Sequence, residues 1–509
     1  MALAPDSAPR PASASLAGAT TSRPAAARCP VPPVALDFPP HVMRQLGGEV
    51  VERAARHIES IESAPARGDY TGIEDFCRAL QEPVPESPAA LTPLLDLIFD
   101  ELVPRTFNTI SPGYLAYIPG GGIYPAALAD YIASAVNRYT GVWLAAPGLV
   151  QLEANALRWL CDAMHYPAAS AGVFTPGGSM ATFNAILCAR ERLLGEALRD
   201  GVLYTSDQSH HSVAKSARLA GILPDRVRHL PVDGELRFRT DALLDAIAAD
   251  RRAGLRPFMI VSSAGTTNTG AVDPLDTIAD IAAREGLWHH VDGAYGACFH
   301  LAPSLQPLLR GLPRADSITL DPHKGLFLPY GTGALLVRDG EALRQVHSAS
   351  AGYLPENQLA FYDPAQYGPE LSRGYPGLRV WLTLKLVGAA TYRAALEEKR
   401  ALALWGADAI AGIPGVVMDA WPQLSAFAFH LEGAALPTRD AENAATTALM
   451  ERVTARGRVM ITGCTIDGRV LARVCVLGFR THADRLEACV EDVRAVAAEL
   501  LAGHGSNGA

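Results

Sequence analysis

The sequence predicts an α/β protein with a mainly parallel, doubly wound sheet, preceded by a helical segment and followed by a small α+β domain. Between about Tyr124 and Leu384, short apolar runs alternate with helical stretches, the pattern of successive βαβ units. The chain has 509 residues, 49% of them hydrophobic and 19% charged, enough for a large core and two or three structural units. Polar and glycine-rich loops follow the apolar runs, where open α/β sheets place their ligand-binding groups.

Residues 1–34 are rich in Ala, Pro and Ser, carry Arg10, Arg23 and Arg28, and nearly lack acids. That faintly resembles a transit peptide, but the apolar core of a signal peptide is missing. A disordered tail is expected, because the apolar surface is too small to offset ordering entropy. Residues 35–123 read as helices without strands. Val50, Val51, Ala54, His57, Ile58 and Ile61 fall near helical spacing. Residues 92–103 read as a further helix, with Thr92 as cap and Pro93 in its first turn. This segment cannot form a sizeable core alone, so it is expected to pack elsewhere, for instance on a partner subunit.

Residues 124–386 form the expected large domain, with strands at 171–175, 201–205, 228–230, 257–262, 287–291, 317–320 and 333–337. Helices are expected between them at 179–194, 213–219, 240–253 and 275–285. Residues 387–505 form the expected smaller α+β domain. A long alanine-rich helix at 391–410 precedes strands at 416–418, 426–430 and 471–476. Helices are expected at 441–456, capped by Asp440, and at 483–501.

The bulk numbers exclude several classes. Net charge is −9 without a Lys/Arg block, which argues against a nucleic-acid partner or an anionic membrane surface. No uninterrupted apolar run reaches the length of a membrane span. The eight cysteines are scattered, without CxxC or a tight Cys/His cluster. This disfavours a disulfide scaffold or a metal site and predicts reduced thiols in a cytoplasmic protein.

The most specific chemistry lies at Asp321-Pro322-His323-Lys324-Gly325, which ends the apolar run before it. The proline and histidine before Lys324 and the apolar Gly/Pro-rich loop after it crowd its amine, which favours Schiff-base chemistry. Thirty-two residues upstream, Asp292 ends another apolar run. A carboxylate there is costly without a charged or hydrogen-bonding partner, and a pyridinium N–H is such a partner; capping the Ala294 region is the simpler alternative. Lysine and aspartate in this order suit pyridoxal 5'-phosphate (PLP): one amine for the aldehyde, one acid to keep the ring nitrogen protonated.

Gly177-Gly178-Ser179 closes a strand and opens a helix, a natural phosphate cradle and equally an ordinary turn. Within Ser209-His210-His211-Ser212 one imidazole can stack on the cofactor ring; His211 reads better as solvent-exposed. Gly265-Thr266-Thr267 either faces the cofactor or turns the chain.

Together these segments resemble the group II PLP-dependent decarboxylases, the family of aromatic-L-amino-acid, histidine and glutamate decarboxylases, over roughly residues 35–500. The resemblance implies the PLP-dependent transferase fold type I, a homodimer with a shared active site, and decarboxylation of an L-amino acid to its amine and carbon dioxide. It implies that Lys324 is the Schiff-base lysine, Asp292 the pyridinium partner and His210 the ring-stacking histidine. Gly177, Gly178 and Ser179 match the phosphate turn, Thr266 and Ala294 match positions lining the ring, and His323 matches the histidine before the lysine. Tyr353 matches a mobile-loop tyrosine that protonates the carbanion carbon, and Tyr117 and Pro119 match the substrate-side segment.

The chain departs from the family pattern at several points. Asparagine often stands where this chain has Asp321, and that asparagine helps hold the phosphate. A carboxylate would repel phosphate, so Asp321 is expected to turn toward another partner. Ile118, Gly141 and Val142 replace bulkier groups, and Gly120-Gly121-Gly122 is unusually bare, so an aromatic substrate does not follow automatically. The glycines either admit a longer substrate or simply turn the chain. The competing readings are another fold type I reaction, such as a carbon–carbon lyase, a cysteine desulfurase or an oxygen-using decarboxylase giving an aldehyde, and a non-catalytic PLP-binding scaffold.

Overall fold

The computed structural model describes residue 34 and residues 36–348 and 361–503. The tail expected at 1–34 lies outside them except for Val34, and Tyr353 lies outside them altogether. The chain divides into two compact units, residues 1–52 and 53–509. The described part of the first is helical from Pro40 onward. The breaks expected near 123 and 386 both fall inside the second unit.

The large sheet contains β1 (Ala171–Thr175), β2 (Gly201–Ser206), β3 (Val227–Leu230), β4 (Arg256–Ser263), β5 (Trp288–Asp292), β6 (Ser317–Leu320) and β7 (Gly333–Val337). Their order is β1-β7-β6-β5-β4-β2-β3. β6, β5, β4, β2 and β3 are mutually parallel, while β7 runs antiparallel to both β6 and β1. β2, β6 and β7 are buried along their whole length, so these strands read as continuous apolar runs rather than alternating ones. Because β7 returns antiparallel, the 321–332 connection needs no crossover helix. It therefore stays at the carboxyl edge of β6, and Lys324 stays with it.

The small sheet has the order β10-β11-β9-β8, with β8 at Val416–Ala420, β9 at Ala426–Leu431, β10 at Thr462–Ile466 and β11 at Arg469–Cys475. All its pairs are antiparallel. Phe427, Phe429 and Val474 from this sheet share a core with Leu449, Leu486 and Val493 from the helices Arg439–Ala455 and Ala483–Gly503.

Two expected caps move. The helix Leu91–Asp96 has Ala90 at its N-cap, so Thr92 lies inside the first turn. It runs into a π-helical turn at Leu97–Leu102. The helix Arg439–Ala455 is capped by Thr438, whose Oγ1 accepts from Ala441 N–H at 3.2 Å, so Asp440 is already helical. A hydroxyl one residue before the first helical position reaches the orphan N–H groups, whereas a side chain inside the turn points away from them.

Candidate active site

Five strand ends and one edge of the small sheet enclose a cavity of about 670 Å3. β1 delivers Gly177, Gly178 and Ser179; β2 delivers His210; β4 delivers Thr266; β5 delivers Asp292 and Ala294; and the turn after β6 delivers His323 and Lys324. Nine of the sequence-predicted residues thus line one space, and Tyr117 lines it as well. Pro119 does not: it is buried, and Ile118 faces the cavity instead. Tyr117 has a left-handed backbone, φ 52°, an uncommon conformation for a residue with a Cβ.

Lys324 Nζ lies 3.2 Å from Asp321 Oδ2. Asp321 thus turns toward the lysine, as a carboxylate in that place requires of some cation. Asp292 is half-buried rather than buried, and its Oδ1 accepts from Ala294 N–H at 3.1 Å. Among the described residues its Oδ2 makes no hydrogen bond. The aspartate therefore closes a turn with one oxygen, and the other is without a partner among the described residues. Behind it, His290 bonds Ser317 Oγ at 2.8 Å and Thr319 Oγ1 at 3.1 Å. Burial depresses the His290 pKa to about 4, so a neutral imidazole braces β5 against β6 beside Asp292.

His210 Nδ1 accepts from Ser212 N–H at 3.2 Å and lies 2.7 Å from Ser212 Oγ. An acceptor nitrogen carries no proton, so the neutral ring holds its proton on Nε2. Burial pushes the His210 pKa down, opposed by the charge of Asp292. His211 is exposed and packs 4.1 Å from His210, centroid to centroid. His323 Nδ1 donates to Thr332 O at 2.8 Å, and burial again favours the neutral ring.

The helix Gly178–Leu193 starts at the cavity wall. The N–H groups of Gly178 and Ser179 have no acceptor within a helix that begins there, and the helix dipole adds positive potential. A Cβ on Gly178 would stand 3.1 Å from Ala294 Cβ, so glycine lets the cradle close on the floor of the site. Thr266 turns the chain: its Oγ1 accepts from Ala271 N–H at 3.1 Å. The bare loop also has a structural cause. A Cβ on Gly120 would fall 1.9 Å from His323 O, and Gly121 and Gly122 have φ of 90° and 61°. The triplet lets the backbone touch the lysine turn.

Sequence reasoning missed the contribution of the small domain: Thr462, Gly463, Cys464 and Arg473. Arg473 is 4% exposed. It donates through NH1 to Tyr117 O at 2.7 Å and through Nε to Asn268 O at 2.9 Å, while its NH2 group is buried without a partner in the described chain. Its signal was a cation inside the apolar run Leu471-Ala472-Arg473-Val474-Cys475. Burial pushes the Cys464 thiol up to about 11, so it is held as a thiol.

These residues fit PLP: an amine and a half-engaged carboxylate share one cavity with a glycine-lined helix start. Residues 74–431 match the family model described as the pyridoxal-dependent decarboxylase conserved domain. Aromatic-L-amino-acid decarboxylase of Bacillus atrophaeus is 32% identical over 467 residues, 90% of this chain and 96% of that protein. Phenylacetaldehyde synthase of Arabidopsis thaliana is 25% identical, over 86% of this chain and 91% of that protein. The crystal structure of Oryza sativa TDC with PLP and tryptamine superposes with a TM-score of 0.86 at 26% identity, covering 91% of this chain and all of that one.

Proposed function

The chain belongs to the pyridoxal-dependent decarboxylase family, and from that premise we propose how its own residues perform the reaction and on what. It is a PLP-dependent enzyme that converts an amino acid to the amine and carbon dioxide. When bound, PLP supplies a protonated ring that accepts the electron pair left behind by carbon dioxide. Lys324 would anchor the cofactor covalently, Asp292 would pair with the ring nitrogen, and the Gly178 and Ser179 N–H groups would hold the phosphate. His210, on the cavity wall, would contact the ring. Tyr353 returns a proton to Cα of the substrate. The placement of Lys324 and Asp292 on one cavity at adjacent strand ends carries this reading.

The substrate class is an aromatic L-amino acid. Its support is the aromatic-L-amino-acid decarboxylase relative and a cavity of about 670 Å3, room for an indole or phenol side chain beside the cofactor. Supplying a panel of L-amino acids and reading amines by mass spectrometry tests it. Tryptamine, tyramine or phenethylamine is expected to dominate, and a product confined to acidic or aliphatic amines would reject the class.

The likeness to phenylacetaldehyde synthase gives an aldehyde-forming reaction as a second reading, and the tyrosine at 353 favours the amine. Tyr353→Phe is expected to keep the cofactor but lower amine formation by about 10²–10⁴-fold, with aldehyde appearing instead. Unchanged amine output removes Tyr353 from the mechanism.

The enzyme works as a homodimer. On the helix Tyr124–Val136, Tyr124, Leu128, Tyr131, Ile132 and Val136 are all exposed and fall on one helical face. A contiguous apolar stripe of this kind is a binding surface, and a second copy covers it. We place the enzyme in the cytoplasm on the strength of its free cysteines, all seven of those described. Among the described residues no helix is long and apolar enough to cross a membrane.

A further inference from the structure

Asp321 stands at the mouth of the turn that carries Lys324, and its side chain is 2% exposed. Its Oδ2 lies 3.2 Å from Lys324 Nζ and 3.6 Å from His323 Nε2. Its Oδ1 is buried and has no hydrogen-bond partner in the described chain. A Cβ on Gly178 would lie 3.1 Å from Oδ2, and one on Gly333 would lie 2.8 Å from Oδ1. The carboxylate is therefore packed between Gly178 at the start of the helix Gly178–Leu193, Gly333 and the lysine.

A buried carboxylate with one unsatisfied oxygen is costly unless a full positive charge compensates it. Other titratable groups act on this neighbourhood: His323 and His210, both favoured neutral by burial, Cys298 and Cys475, whose thiols burial holds protonated, the Tyr330 phenol, and the carboxylate of Asp292. Lys324 Nζ, at 3.2 Å, is the cationic group nearest to it. An ammonium has no lone pair and cannot attack an aldehyde.

We propose that Asp321 is a positioning residue that pairs with the Lys324 amine, so that release of this ion pair limits covalent capture of PLP. The inference rests on Lys324 being the cofactor-binding lysine. On capture, the ammonium first gives one proton to solvent. Nζ then bonds to the aldehyde carbon, and the aldehyde oxygen leaves as water with the two remaining amine protons. Asparagine would fill the same space without holding the charge.

The test uses the full-length enzyme stripped of cofactor and mixed with PLP or with pyridoxal, which lacks the phosphate. Capture is followed by growth of the visible band. Asp321→Asn is expected to capture both aldehydes about tenfold faster than the unsubstituted enzyme, the size of one lost charge-assisted hydrogen bond. Asp321→Ser is expected to show the same direction and serves if the asparagine variant does not fold. Equal or slower rates overturn the proposal. So does a gain confined to PLP, because it places the effect of Asp321 on the phosphate. If the band persists in Lys324→Ala, the lysine assignment itself has failed; if it vanishes there but grows at the unsubstituted rate in Asp321→Asn, only this inference has failed.

Discussion

Lys324→Ala is expected to lose the visible absorption band formed with PLP and to lower amine formation by about 10⁴-fold, the upper range for a single positioned acid–base group. The size follows from two losses at one atom. The covalent anchor disappears, and with it the cation paired to Asp321 at 3.2 Å. The substitution also leaves a buried carboxylate uncompensated, so the variant is expected to melt at a lower temperature. Lys324→Ala combined with Asp321→Asn should recover melting temperature without recovering turnover. A band that survives in the single variant, seen in a simple absorbance spectrum, would end the assignment.

Asp292→Asn should lower kcat by about 10²–10³-fold while PLP remains bound, because it removes a preorganised charge where charge develops. Asparagine can still accept the Ala294 N–H that Oδ1 accepts now, so the turn after β5 survives. What would be lost is the negative charge proposed to keep the ring nitrogen protonated. Steady-state kinetics beside a cofactor titration separate the two effects. A kcat within a few-fold of the unsubstituted enzyme would show that another group holds the ring nitrogen.

Much of the large sheet was legible because its strands are buried on both faces. β1, β6 and β7 match the apolar runs end to end. β10 was missed: it is an edge strand of alternating exposure whose β-branched residues are interrupted by Gly463 and Cys464, with no continuous apolar run to mark it. In the site, Lys324, Asp292 and His210 come together because Asp292 ends β5 and the other two lie in the turns just after β6 and β2, so chain order alone brings them to one edge. Thr462, Cys464 and Arg473 reach the cavity through packing between the two sheets, which no local pattern encodes. Pro119, carried over from the resemblance, is buried away from the cavity, while Ile118 beside it lines the cavity.

Arg473 has one further implication. Its guanidinium stitches Tyr117 O, before the first strand, to Asn268 O, after the fourth, and does so from the far side of the chain. The division drawn by the two sheets is therefore no division for catalysis. A chimera that swaps residues 387–503 for those of a distant cousin would unpick this suture, and its chemistry would fail even where both halves fold soundly.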